Sequence, residues 1–179
     1  MNPFNNPQIF TENLHSINDL AFEALEKSYR SVLYIGNTIF FAIFGIIASS
    51  IYFALKDEVP YFIQVLAIVL FFSLLVFSFL SIHFGFKNKA FAVRQKDIVF
   101  QTGWLWKSKT VVPFKRIQHS EVSQGPIDRM FNLGKLRVFT AGGSGSDLSI
   151  PGLSFLKANQ LKDFIISEIT TQQVSYEEE

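Results

Sequence analysis

Residues 31–55 read SVLYIGNTIFFAIFGIIASSIYFAL, and residues 61–86 read YFIQVLAIVLFFSLLVFSFLSIHFGF. Only KDEVP, at 56–60, separates them, and neither run holds a charged side chain. A bilayer core about 30 Å thick needs roughly 20 apolar residues of helix to cross it. Both runs exceed that length. A chain of 179 residues cannot hide two such helices from water on every face. The pattern therefore predicts a transmembrane helical hairpin over 31–86, with spans at 31–55 and 61–86.

The flanks give an orientation. Lys27 and Arg30 precede the first span, and Lys87, Lys89, Arg94 and Lys96 follow the second. The connecting loop has Lys56 alone, beside Asp57 and Glu58. Lys and Arg near span ends favour the cytoplasmic side. Both termini are expected on the cytoplasmic side of the membrane, in a multi-pass protein with the short loop outside. The first run is not expected to be a cleaved leader, because it lacks a short apolar core before a small-residue cleavage site.

Ahead of the hairpin, residues 1–30 read as a cytoplasmic segment. Met1 to His15 is irregular. From Ile17 the spacing of Leu20, Ala21, Ala24 and Leu25 predicts a juxtamembrane helix with Asn18 as N-cap. Tyr29 and Tyr34 stand where interfacial aromatic residues are expected. Within the spans, Gly45/Ser49 and Ser81/Gly85 are small-residue pairs that let helices approach. Asn37 and His83 are expected at an interface or in an interhelical hydrogen bond.

After Lys89 the period becomes alternating. Short strands are expected at 90–94, 98–102, 110–114, 117–123, 136–140 and 148–150, with a turn-rich connector from Ala141 to Asp147. Strands at this spacing predict a compact sheet or partly closed barrel over 87–170. Pro126 to Asn132 can form a helical turn, opened by Pro126 and ended by Gly134. Ser154 can cap a final helix whose Ala158, Leu161, Ile165 and Ile169 form an apolar stripe. Residues 171–179, ending in three glutamates, are expected to be a disordered acidic tail.

No catalytic, cofactor or metal site emerges from the residue pattern. There is no cysteine, hence no disulfide, thiol nucleophile or cysteine-based zinc site. His15, His83 and His119 are dispersed and lack ligand spacing. Gly142-Gly143-Ser144-Gly145 lacks the lysine and the following helix of a phosphate loop, so a flexible hairpin loop is expected. The chain is therefore read as a non-enzyme.

Charge gives the one sign of a partner. Between Lys87 and Gly142 there are eleven Lys and Arg but only Asp97, Glu121 and Asp128 as acids. Basic residues near a cytoplasmic leaflet are drawn to anionic headgroups. Trp104 and Trp106, on one strand face by alternation and beside Lys107 and Lys109, form the candidate headgroup contact. The alternative is that the rings pack on the barrel while the lysines keep it soluble. No nucleic-acid-binding signature is present.

Three stretches then stand out: Val111-Val112-Pro113-Phe114-Lys115-Arg116-Ile117-Gln118-His119, Gln124-Gly125-Pro126-Ile127-Asp128-Arg129, and Leu133 to Gly143 followed by Pro151-Gly152-Leu153. With the preceding hairpin, they resemble the YdbS-like bacterial pleckstrin-homology (PH) domain membrane proteins. The resemblance implies an α+β membrane protein: a hairpin, then a PH-like antiparallel β-barrel with a C-terminal helix. It implies an inner-membrane protein often made alongside a larger membrane protein bearing several such domains, and no enzymatic activity. The expected role is an interaction or assembly module, through self-association or with that related protein. The best candidates for its surface are Arg116, Gln118, Gln124 and Arg129. The alternative role is sensing of anionic lipids through the Trp/Lys loop, which falls roughly where phosphoinositide-binding PH domains carry a basic loop.

Overall fold

The computed structural model of the chain describes residues 20–141 and 147–177. A short strand β1 (Glu23–Ala24) precedes two long helices, α1 (Lys27–Leu55) and α2 (Tyr61–Lys87). There follow β2 (Ala90–Val93), β3 (Asp97–Thr102), β4 (Ser108–Pro113), β5 (Ile117–Ser123), α3 (Pro126–Met130), β6 (Leu133–Thr140), β7 (Leu148–Ser154) and α4 (Phe155–Glu177). The strands form two antiparallel sheets, ordered β1-β2-β3-β4 and β5-β6-β7.

The helices α1 and α2 form the expected hairpin. No residue of α2 is buried. Large apolar side chains from Ile35 to Tyr61 are up to 79% exposed, far beyond the apolar patch a soluble monomer tolerates. The two helices meet through Phe41 and Phe44 against Phe71, with ring centroids 5.9 and 6.0 Å apart. Ser78 donates a 2.6 Å hydrogen bond to Asn37 Oδ1, the interhelical bond expected of Asn37.

The core of the β-domain lies between its sheets and under α4. Phe91, Ile98, Phe114, Leu136, Val138, Ile150 and Ile165 are all fully buried. Ala158 and Ile165 of α4 are also fully buried, and Leu161 and Ile169 pack beside them, as the stripe predicts. The Lys157 N–H donates to Ser154 Oγ at 3.3 Å, so Ser154 caps this helix. Pro113 ends β4 at the outer edge of its sheet, where a missing N–H costs little.

The segment before the hairpin differs from expectation. It is not helical at 23–24. Glu23 pairs with Phe91 and Ala24 with Ala90, so the chain enters the domain, leaves through the hairpin and returns beside its own departure. The spacing of Ala21, Ala24 and Leu25 imitates a helix, but Leu25 is a single core anchor, 4% exposed. The part of the expected juxtamembrane helix before residue 20 lies outside the described residues. Lys157 of α4 forms an ion pair with Glu23, and its Nζ lies 5.3 Å from the Phe91 ring centroid.

Tyr29 is likewise not an interfacial residue. It is 9% exposed, seated in the domain against Gly152. Gly152 has φ +69, and a Cβ there would stand 2.3 Å from the Tyr29 ring. Only glycine satisfies both the backbone and the ring. The Glu26 N–H donates to the Gly152 carbonyl at 2.9 Å, closing the joint on its other side.

Two further expectations shift. The left-handed residue after α3 is Asn132 (φ 53), not Gly134. Gly134 lies in β6, where a Cβ would come within 3.1 Å of the Ala158 methyl of α4. The final helix continues to Glu177 rather than yielding to a tail at 171, because a capped and docked helix adds further turns with no new nucleation. The glycine loop at 142–146 lies outside the described residues, as does residue 15.

Tyr29→Ala should lower the stability of the full chain in detergent by about 3 kcal/mol, in the range of buried aromatic deletions. Tyr29→Phe should be nearly neutral, and Gly152→Ala should be destabilised. Thermal unfolding of the three variants checks this.

Candidate membrane-contact site

The β3–β4 connection carries both tryptophans, but not as a strand. β3 ends at Thr102 and β4 begins at Ser108, leaving 103–107 as a tight turn. The cause is Gly103. Its φ is +116, and a Cβ there would stand 1.7 Å from the Trp106 carbonyl oxygen. Alternation across Trp104, Leu105 and Trp106 resembles a strand, yet the chain reverses through them.

The two rings consequently part. Trp104 turns inward onto α2, its ring 5.4 Å from Phe84 in a near-parallel stack and 6.0 Å from Phe77. Gly85 of α2 lies directly beneath it, where a Cβ would stand in ordinary contact 3.8 Å from Trp104 Cβ. Phe77 stands ten residues before Lys87, about 15 Å along the helix. The loop thus lies alongside the last turns of α2 rather than beyond its end. Trp106 and Leu105 point away from the protein, 84% and 62% exposed.

Cations flank this apolar tip. Lys107 is exposed. Lys109, on β4 opposite Gln101, has its Nζ 5.4 Å from the Phe22 ring centroid. An apolar tip with cations at its base suits the boundary between acyl chains and headgroups.

The other four candidates do not converge. Arg116 precedes β5 and Gln124 follows it, so roughly 20 Å of strand separates them. Arg116 is exposed and lines a hollow of about 240 Å³ with Thr110, Pro113, Thr140 and Asp147. Thr140 donates to Asp147 Oδ2 from its N–H (2.8 Å) and its hydroxyl (2.6 Å). These hydrogen bonds, with the Arg116 charge, hold the Asp147 carboxyl below its usual range. Gln118 is exposed at a bulge, where the ladder passes from Ile117 to His119. His119 stacks on Phe139 at 4.2 Å.

At the far end of β5, Gln124 is engaged internally, its Nε2 donating to the Leu133 carbonyl at 2.7 Å. It closes the excursion through α3. The Gly125 N–H donates to Asp128 Oδ2 at 3.1 Å and Pro126 opens the helix, giving the expected turn. Arg129 is exposed on α3. Glu121 pairs with Arg137 at 3.0 Å. Of the four, Arg116, Gln118 and Arg129 remain as surface groups, while Gln124 serves the fold.

Residue pattern alone overlooked Lys89 and the Leu25–Tyr29 anchor. A lysine just after a span is ordinarily counted only as orienting charge, and nothing local shows that Lys89 faces inward.

Two antiparallel sheets capped by a C-terminal helix, carried on an apolar hairpin, define a membrane-associated PH-like α+β protein. The chain belongs to the bacterial PH domain family, whose model matches residues 38–169. It is similar to the UPF0699 transmembrane protein YdbS of Bacillus subtilis (strain 168), with 31% identity over 86 residues. That alignment covers 47% of this chain and 52% of the relative, so the match spans about half the relative's length. No solved structure matches.

Trp104→Ala should free the β3–β4 loop, because each lost ring contact is worth about 0.5–1.5 kcal/mol beyond area burial. Trypsin should then cut after Lys107 faster than in the parent protein in detergent. Trp106→Ala should leave the rate nearly unchanged.

Proposed function

We propose that this chain is a non-enzymatic assembly module of the bacterial inner membrane. Both termini face the cytoplasm, and the hairpin holds the PH-like domain against the inner leaflet. There it joins a related membrane protein bearing several such domains, or a second copy of itself.

The observation that carries the reading is the anchoring of α1 in the domain. Strand β1, Leu25 and Tyr29 are parts of the β-domain, and Tyr29 runs directly into the first span. The domain is therefore no bead on a loose tether. A fixed orientation reduces the ordering cost of binding a partner. Confinement to one membrane raises the partner's effective concentration. Arg116 and Gln118 on one side and Arg129 on the other are the exposed groups such a partner would meet.

The test places a photo-crosslinking residue at Gln118 or Arg129 of the full chain in intact cells. A discrete adduct with a membrane protein of the same family, or with a second copy, is expected. Only monomer at both positions, with the domain folded, contradicts assembly.

The exposed Leu105–Trp106 tip favours a second reading, direct contact with anionic lipid. A fragment starting at Lys87 would lack β1, Leu25 and Tyr29, so the full chain is required. In reconstituted vesicles, a Trp104→Phe variant leaves Trp106 as the only tryptophan. Brominated phosphatidylglycerol should quench its emission more strongly than brominated phosphatidylcholine. Quenching by aqueous iodide and not by lipid contradicts this reading.

A further inference from the structure

Between the domain-side halves of α1 and α2 lies a groove of about 450 Å³. Val32, Leu33, Gly36, Ile82 and Phe86 give it apolar walls, Ser81 a hydroxyl, and Lys89 a cation. The lining runs along α2 from Ser78 to beyond Lys87, about 15 Å at 1.5 Å per residue. That is close to half the thickness of a bilayer core. The groove is thus one leaflet deep, with its charge at the domain end.

Lys89 has no ion-pair partner among the described residues. Its Nζ lies 5.5 Å from the Tyr29 ring centroid, and it is half-buried where the hairpin enters the domain. Burial holds its ammonium below the usual lysine range. A half-buried cation with no counter-charge is costly unless an anion is supplied. Ser81 makes no hydrogen bond among the described residues. Deeper in, Asn37 Nδ2 is enclosed without a partner.

We propose that this groove binds one anionic phospholipid from the leaflet on the domain side. Its phosphate rests on Lys89, and one acyl chain runs inward along Phe86, Ile82 and Gly36 past Ser81. The charge at the headgroup level selects the anionic class, and the apolar length below it selects a lipid over a soluble phosphate. The site is separate from the Trp/Lys loop and does not depend on assembly.

Gly36 supplies a blocking variant. No atom lies within 4 Å of where its Cβ would stand, so the position accepts a side chain, and Gly36→Leu adds bulk at the groove wall. The experiment is native mass spectrometry of the full chain in a non-ionic detergent, titrated with phosphatidylglycerol. The parent protein should retain one phosphatidylglycerol. Lys89→Gln and Gly36→Leu should each weaken retention by about fivefold or more, and Lys87→Gln, an exposed cation two residues away, by less than about twofold.

Equal retention by Lys89→Gln and the parent would overturn the proposal, as would equal retention of phosphatidylcholine. Displacement by millimolar glycerol phosphate would assign the cation to a soluble anion and overturn the lipid. Lys89→Gln decides the matter alone if Gly36→Leu fails to fold.

Discussion

The contact between the Tyr29 ring and Gly152 is the constraint on which the architecture turns. It joins the first turn of α1 to the last strand of the β-domain, within the same core that α4 covers. A methyl group at 152 would occupy the position of the ring. The neighbouring Glu26–Gly152 hydrogen bond and the β1–β2 ladder close the joint on either side. The hairpin is thus held at both ends, by β1 and the first turn of α1 with Tyr29 on one side, and by β2 after α2 on the other.

This double attachment explains the course of the β3–β4 loop. With α2 fixed to β2, the loop leaving β3 must pass the base of that helix. Trp104 uses Phe77 and Phe84 as its packing surface. The same tight turn sends Leu105 and Trp106 outward. A PH-like domain thus gains an apolar tip on the side where its own hairpin lies. The groove that Lys89 closes is a second product of this geometry, formed between the two helices where they meet the domain that holds them.

Much of this was legible in the residues, for identifiable reasons. Runs without charge mark α1 and α2 to within a few residues, because lipid imposes a length and excludes charge. The stripe of Ala158, Leu161, Ile165 and Ile169 reports the buried face of α4 directly. Alternation locates the longer strands. β1 escaped because two residues are too few for a period, and its neighbours happen to fall at helical spacing. Trp104 and Trp106 misled because alternation is indifferent to a chain reversal at Gly103. Gln124 looked like a surface polar group, yet its side chain donates to the Leu133 carbonyl. Lys89 was visible only as one more positive charge.

The central claim is that hairpin and β-domain form one rigid body, and a spin–spin distance tests it most directly. The chain has no cysteine, so labels can be placed singly at Lys56→Cys, in the hairpin loop, and Gln95→Cys, on the exposed β2–β3 turn. In lipid nanodiscs the account predicts one narrow distance distribution, which Tyr29→Ala broadens. A broad distribution in the parent protein, unchanged by that substitution, would contradict it.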